Sequence, residues 1–282
     1  MKQRVFGAAG VEVPVIGQGT WNVALAGAGR KAALRALRLG IELGMTHIDT
    51  AEMYGSGAVE DLVAEAIAGV DRARLFLASK VLPENASYRG TREAAHRSLT
   101  RLRTEYLDLY LLHWPGSHPL EETMRALESL VADGTARFVG VSNFDAPEME
   151  EAASYLSGVP LVCNQVLYHL CERGVEHRLI SQARRDNVAV VAYTPFGRGE
   201  FLRAAAGRAV LEGVARKHAA TPRQIALAFL VREPNVFTIP KASSEAHVRE
   251  NAGAADIALD DDDIGAIDAA FSRGRPRPLA TL

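Results

Sequence analysis

The chain has 282 residues, 48% of them hydrophobic and 23% charged, and its formal net charge of -2 gives no electrostatic reason to expect nucleic acid or an anionic membrane as a partner. The length suits one large domain, since α/β barrels run to roughly 250 residues as a unit. Two cysteines, Cys163 and Cys171, exclude a disulfide framework, and with no signal-peptide core and no run of ~20 apolar residues the expected location is cytoplasmic.

In chain order, the first residues read as a hairpin. Arg4-Val5-Phe6 and Val11-Glu12-Val13 surround Gly7 and Gly10, placed to plug the bottom of a barrel. Apolar runs follow at 15–19, 47–50, 75–79, 107–112, 138–142, 161–165, 188–193 and 236–239. Each is apolar nearly throughout rather than alternating, as expected when both faces of a parallel sheet are covered. Between them lie amphipathic stripes, such as Leu34, Leu37 and Ile41, then Leu120, Met124, Leu127 and Val131. Gly44 and Gly134 read as helix stops. Thr221-Pro222-Arg223-Gln224 reads as a capping box with Pro at the first helical position, and Asp145 with Glu148 plays a similar part.

Eight strand-helix units in one domain over 1–282 predict an α/β fold of the (β/α)₈ TIM-barrel type. An N-terminal β-hairpin precedes it and an additional C-terminal helix over 259–271 follows. An open doubly wound sheet is the alternative. The helix opens on Asp260 to Asp263, which a helix amino terminus favours electrostatically. No ligand spacing accompanies the four, and His113 and His118 form no recognised metal pair, so no metal is expected.

The chemistry gathers at the carboxyl ends of the runs: Thr20, Asp49, Lys80, His113, Asn143, Gln165, Tyr193 and Lys241. In a barrel those ends share the face where active sites are found. Asp49 and Lys80, read as lying on nearby but non-adjacent strands, are within reach of a salt bridge, and Tyr54 follows in a loop turned by Gly55. A tyrosine titrates near ~10, and a buried ammonium beside it favours the phenolate and lowers that value. Asp49 would keep Lys80 charged, and His113 would hold a substrate oxygen. A structural ion pair beside a buried tyrosine is the alternative that these residues alone leave open.

These residues, in this order, resemble the aldo-keto reductase family over essentially the whole chain. The resemblance rests on Gly19-Thr20-Trp21, His47-Ile48-Asp49-Thr50-Ala51-Glu52-Met53-Tyr54-Gly55, Ala78-Ser79-Lys80-Val81 and Leu111-Leu112-His113-Trp114-Pro115. It continues through Gly140-Val141-Ser142-Asn143-Phe144, Asn164-Gln165, Ala192-Tyr193-Thr194-Pro195-Phe196-Gly197 and Ile239-Pro240-Lys241. It implies a cytoplasmic reductase of small aldehydes, ketones or ketoaldehydes that uses NADPH, with NADH possible, and has no Rossmann domain. No GxGxxG or phosphate loop is present.

By the same resemblance Tyr54 is the general acid, Asp49 and Lys80 tune it, and His113 orients the carbonyl. Thr20, Trp21, Asp49, Thr194 and Pro195 belong to the cofactor site. Ser142, Asn143 and Gln165 match positions that bind the carboxamide, and Tyr193 matches the aromatic that stacks on nicotinamide. Phe196, Gly197 and Arg198 fall along the pyrophosphate, and Glu250 with Asn251 near the adenine. Many members carry Arg where this chain has His247, and Ala242 replaces a common serine. Lys241, Ser243 and Ser244 remain for the 2′-phosphate, so the expected NADPH preference is narrower than in arginine-bearing relatives.

Trp21, Trp114 and Met53 read as lining for the substrate pocket, beside Tyr54 and His113. The short basic tail after Phe271 implies an open pocket, and a monomer is the expected state. Two other functions compete. A Schiff-base aldolase would use Lys80 but would need it neutral, and a non-catalytic nucleotide-binding redox sensor or regulatory subunit would leave the four-residue set idle.

Overall fold

In a computed structural model that describes residues 1–282, the chain opens with an antiparallel pair, β1 (Gln3–Val5) and β2 (Glu12–Pro14). Eight parallel strands follow: β3 (Gln18–Gly19), β4 (His47–Asp49), β5 (Phe76–Val81), β6 (Leu107–Leu112), β7 (Ala136–Ser142), β8 (Leu161–Leu167), β9 (Ala189–Tyr193) and β10 (Val236–Thr238). Each pairs with the next in sequence. The ends then meet, because Gly17 N–H donates to the Thr238 carbonyl at 2.8 Å and Thr238 N–H donates to the Val15 carbonyl at 2.9 Å. This is the closed (β/α)₈ barrel, and the open-sheet alternative is set aside.

Outside it lie α1 (Gly27–Glu42), α2 (Ala58–Ile67), α3 (Tyr88–Leu102), α4 (Leu120–Ala132), α5 (Ala146–Ser154), α6 (Leu179–Arg185), α7 (Ala205–Lys217) and α8 (Pro222–Leu230). Two more, α9 (Glu245–Gly253) and α10 (Asp261–Ala270), follow the last strand. Both sequence-read capping boxes form, Asp145 with Glu148 on α5 and Thr221 with Gln224 on α8, each with Pro in the first turn. A third holds α10. There Asp260 and Asp263 cap each other, and Asp263 also takes Lys217 at 2.8 Å and His218 at 2.7 Å. No helix is long and apolar enough to cross a membrane.

Every strand but the one over 107–112 shifts at one or both ends from the sequence reading, and three of the shifts bear on the barrel seam and the site. Residues 15–19 are not one strand: Gln18 and Gly19 pair with β4, while the stretch before them turns to Thr238 and closes the barrel. The seam is tight, for a Cβ on Gly19 would lie 2.5 Å from the Ile239 carbonyl oxygen. The third run extends through Lys80 and Val81, so Lys80 lies within β5 rather than after it. The last strand stops at Thr238.

The hairpin delivers Phe6 to the barrel floor. Its ring is fully buried, 4.9 Å from the Phe76 ring and 4.8 Å from the Phe237 ring, beside His47. Burial pushes the His47 imidazole down to about 4, so it packs there as a neutral ring.

Candidate active site

Register places the central ion pair. Asp49 is the β4 partner of Ala78, and Lys80, two residues further along β5, points to the same barrel-interior side. The two strands are therefore neighbours, not the non-adjacent pair the sequence suggested. Lys80 Nζ donates to Asp49 Oδ1 at 2.7 Å, to the Thr50 carbonyl at 2.9 Å and to Tyr54 Oη at 3.4 Å. Gln165 Nε2 donates to the other carboxylate oxygen at 2.8 Å, so both oxygens of Asp49 are engaged.

Electrostatics refine the sequence reading. Burial opposes the Lys80 charge, but Asp49 and Tyr54 outweigh it and hold the ammonium above its ordinary value. For Tyr54 the balance falls the other way. Desolvation of the phenol raises its pKa by more than Lys80 lowers it, so the hydroxyl stays protonated through neutral pH. The expected net acidification is thus corrected: the ammonium moderates the rise without reversing it. Burial, with Lys80 adding to it, depresses His113 to about 2, which keeps the imidazole neutral.

The His113 ring lies edge-on to Tyr54 at 5.8 Å and next to Trp114 at 4.7 Å. Across from them Ser142 donates to the Gln165 carbonyl at 2.9 Å, and Asn143 Nδ2 donates to the His113 carbonyl at 3.0 Å. Tyr193 Oη donates to Asn143 Oδ1 at 2.7 Å, and burial pushes that phenol up to about 12. One cavity is lined by Asp49, Tyr54, His113, Ser142, Asn143, Gln165 and Tyr193, together with Trp21, Met53, Trp114, Thr194, Pro195, Arg198 and Lys241.

The remaining sequence-named residues lie outside that lining. Thr20 is buried behind it, its hydroxyl donating to the Asp49 carbonyl at 2.8 Å. Phe196 is half-buried against Phe201, with the Arg223 guanidinium 4.0 Å from its ring centroid, and Gly197 packs on the His169 ring. Ala242, Ser243 and Ser244 lead into α9, where the His247 N–H donates to Ser244 Oγ at 3.3 Å and His247 is exposed. Glu250 accepts from Thr221 Oγ1 at 2.7 Å, and Asn251 is buried with both amide atoms unpartnered.

Sequence reasoning missed three lining residues, Gly19, Ile239 and Leu282. Ile239 was legible as the residue just past a strand end. Leu282 was not, because its place depends on the course of the tail. An ion pair between Arg277 and Glu172 fastens that tail to the segment after β8, and Leu282 at its end lines the cavity.

The model of the Aldo/keto reductase family matches residues 15–271. The chain belongs to this family. It is 42% identical over 273 residues to methylglyoxal reductase YeaE of Escherichia coli (strain K12), covering 96% of each chain. It is 36% identical to glyoxal reductase of Bacillus subtilis (strain 168), over 92% of this chain and 90% of that one. Among solved structures, an aldo/keto reductase from Klebsiella pneumoniae in complex with NADP and acetate is similar at a TM-score of 0.92 and 39% identity, over the full length of both chains. Within this family member, the buried ion pair, the tyrosine and the histidine stand at one end of the barrel, as the strand-end pattern anticipated.

Proposed function

We infer that the chain reduces aldehydes and ketones to alcohols with NADPH as hydride source, and that Tyr54 is the general acid. One observation carries the assignment of Tyr54: its hydroxyl takes a hydrogen bond from a buried ammonium at the wall of a cavity that His113 also lines. The family membership and the methylglyoxal and glyoxal reductases among its relatives support small aldehydes and ketoaldehydes as substrates.

The residues fit a nicotinamide nucleotide. Gln165 keeps its Oε1 free to accept while Nε2 holds Asp49. Ser142 Oγ and Asn143 Oδ1, whose donor partners are already taken, each keep a lone pair, so the three offer acceptors to a carboxamide NH₂ beside the Tyr193 ring. Arg198 and Lys241 line the same cavity as cations without a carboxylate partner, suited to phosphate. Trp21, Thr194 and Pro195 line the cavity, and Thr20 supports Asp49 from behind. Phe196 and Gly197 fall along the pyrophosphate, and Ala242, Ser243 and His247 near the 2′-phosphate. Glu250 and Asn251 hold the adenine end, where the unpartnered amide of Asn251 has both a donor and an acceptor to offer. When bound, the reduced nicotinamide supplies the hydride.

The protein supplies the proton and the position. Tyr54 donates its hydroxyl proton to the carbonyl oxygen as that oxygen gains negative charge. The phenolate left behind faces Lys80 at 3.4 Å. At an effective dielectric near 20 that attraction is worth roughly 5 kcal/mol. Asp49 holds Lys80 charged and aimed, and Gln165 holds Asp49. Neutral His113 donates a hydrogen bond to the same oxygen without competing for the proton, and Trp21 and Trp114 wall the substrate side.

A Schiff-base aldolase requires a neutral Lys80, and the ion pair with Asp49 stabilises the opposite state. A non-catalytic sensor has no use for the four-residue set. A cytoplasmic monomer completes the reading, with NADPH preferred and NADH possible. Loss of NADPH absorbance with methylglyoxal, glyoxal and larger aldehydes tests it. No oxidation above background with any carbonyl would overturn it.

A further inference from the structure

We propose that Glu52 and Glu60 are positioning residues for Tyr54, held from behind by Arg97 and Arg101. The inference rests on the reductase reading above and concerns how the tyrosine is kept in register with Lys80.

The turn that carries Tyr54 holds one strained residue. Gly55, Ser56 and Gly57 follow it with φ values of 57°, 52° and 93°, three left-handed residues in succession, one of them not glycine. The two glycines take such φ freely, but Ser56 carries a side chain there and persists in that conformation only where its surroundings over-determine it. Two carboxylates do so, one on each side of the turn. Glu52 Oε1 accepts from the Leu82 N–H at 2.8 Å and from Asn85 Nδ2 at 2.9 Å, while Oε2 meets Arg97 at 3.2 Å. Glu60 Oε1 accepts from Ser79 Oγ at 2.7 Å, and Oε2 accepts from Arg101 at 2.9 Å.

The two side chains are 5% and 0% exposed, so each needs its partners to justify burial. Arg97 and Arg101 are four apart on α3, hence on one face of that helix. Arg101 also packs flat on the turn, where a Cβ on Gly57 would come within 2.5 Å of its Nε.

The partners on the strand side decide what this network does. Ser79 precedes Lys80 on β5 and points away from the barrel interior, toward α2, while Leu82 follows just past the strand. The Glu52 N–H donates to the Lys80 carbonyl itself at 3.3 Å. The turn of Tyr54 is therefore fastened to the chain on both sides of Lys80, through the Ser79 hydroxyl and the Leu82 N–H. The 3.4 Å approach of hydroxyl to ammonium is set by this frame, since the bond itself is long and weak.

Glu60→Gln keeps an acceptor for Ser79 and removes the charge that grips Arg101. Turnover and NADPH affinity are measured, the latter by fluorescence titration, in the wild-type and Tyr54→Phe backgrounds. The expected result is a fall in kcat of about tenfold with NADPH affinity within about twofold, and no further fall once Tyr54 is phenylalanine, because residues acting as one unit are not additive. Arg101→Lys is expected to retain more activity than Arg101→Met. Unchanged kcat in Glu60→Gln, or the same fractional loss in the Tyr54→Phe background, would overturn the inference. If Glu60→Gln does not fold, Arg101→Lys carries the same comparison. A wild-type protein that oxidises no NADPH would instead remove the reductase reading.

Discussion

The hydroxyl of Tyr54 and the ammonium of Lys80, 26 residues apart in the chain, meet at 3.4 Å in a site where burial keeps the phenol protonated. The proton is thus held in place until the carbonyl oxygen becomes basic enough to take it. Tyr54→Phe removes that proton and leaves the ring. Turnover should fall by about 10²- to 10⁴-fold, with NADPH binding retained. Steady-state rates beside a cofactor titration check this, and an equal rate in the variant would exclude Tyr54 as the acid.

The pH profile follows from the same shifts. Reduction needs Tyr54 protonated, and its pKa is raised above 10.0, so activity is lost only as pH climbs into the alkaline range. His113, depressed to about 2, is neutral throughout the working range and contributes no inflection. A kcat profile flat from mildly acidic to mildly alkaline pH is expected. A step near neutrality that vanishes in His113→Gln would contradict it.

Asp49 and Lys80 are buried together, and breaking the pair strands one charge. Lys80→Met should cost about 3–5 kcal/mol of stability as well as activity. Adding Asp49→Asn should restore much of the melting temperature and none of the turnover. A double variant no more stable than Lys80→Met would show that the residual carboxylate is not the cause.

His247 is exposed in the first turn of α9. His247→Arg supplies a permanent, forked cation for a 2′-phosphate. An exposed contact of this kind is worth up to about 1 kcal/mol, so the NADPH-to-NADH ratio of kcat/KM should rise roughly two- to fivefold. An unchanged ratio would place the 2′-phosphate elsewhere.

Phe6 seals the barrel floor at the end opposite the active site. Phe6→Ala should cost about 3–5 kcal/mol, the range for emptying a buried aromatic position. At temperatures where the variant is folded, KM for aldehyde should stay near wild type. A large change in KM at full foldedness would couple the floor to the mouth.

Much of this protein was legible in its residues. Short, nearly apolar runs such as 107–112, recurring between amphipathic stripes, read as strands covered on both faces, and Thr221 with Gln224 marks a helix start through local hydrogen bonds alone. Polar residues at the strand ends followed too, since in a barrel those ends share one face. These features depend on period, capping and order along the chain, which sequence carries directly.

What only the tertiary structure decided is whatever depends on distance between remote segments. That Asp49 and Lys80 sit on adjacent strands, that burial outweighs the ammonium at Tyr54, that Gln165 braces Asp49 and that Leu282 reaches the cavity are results of closure and packing. Desolvation is set by everything surrounding a group, and loop course by contacts far along the chain. Neither is written in a local pattern of residues.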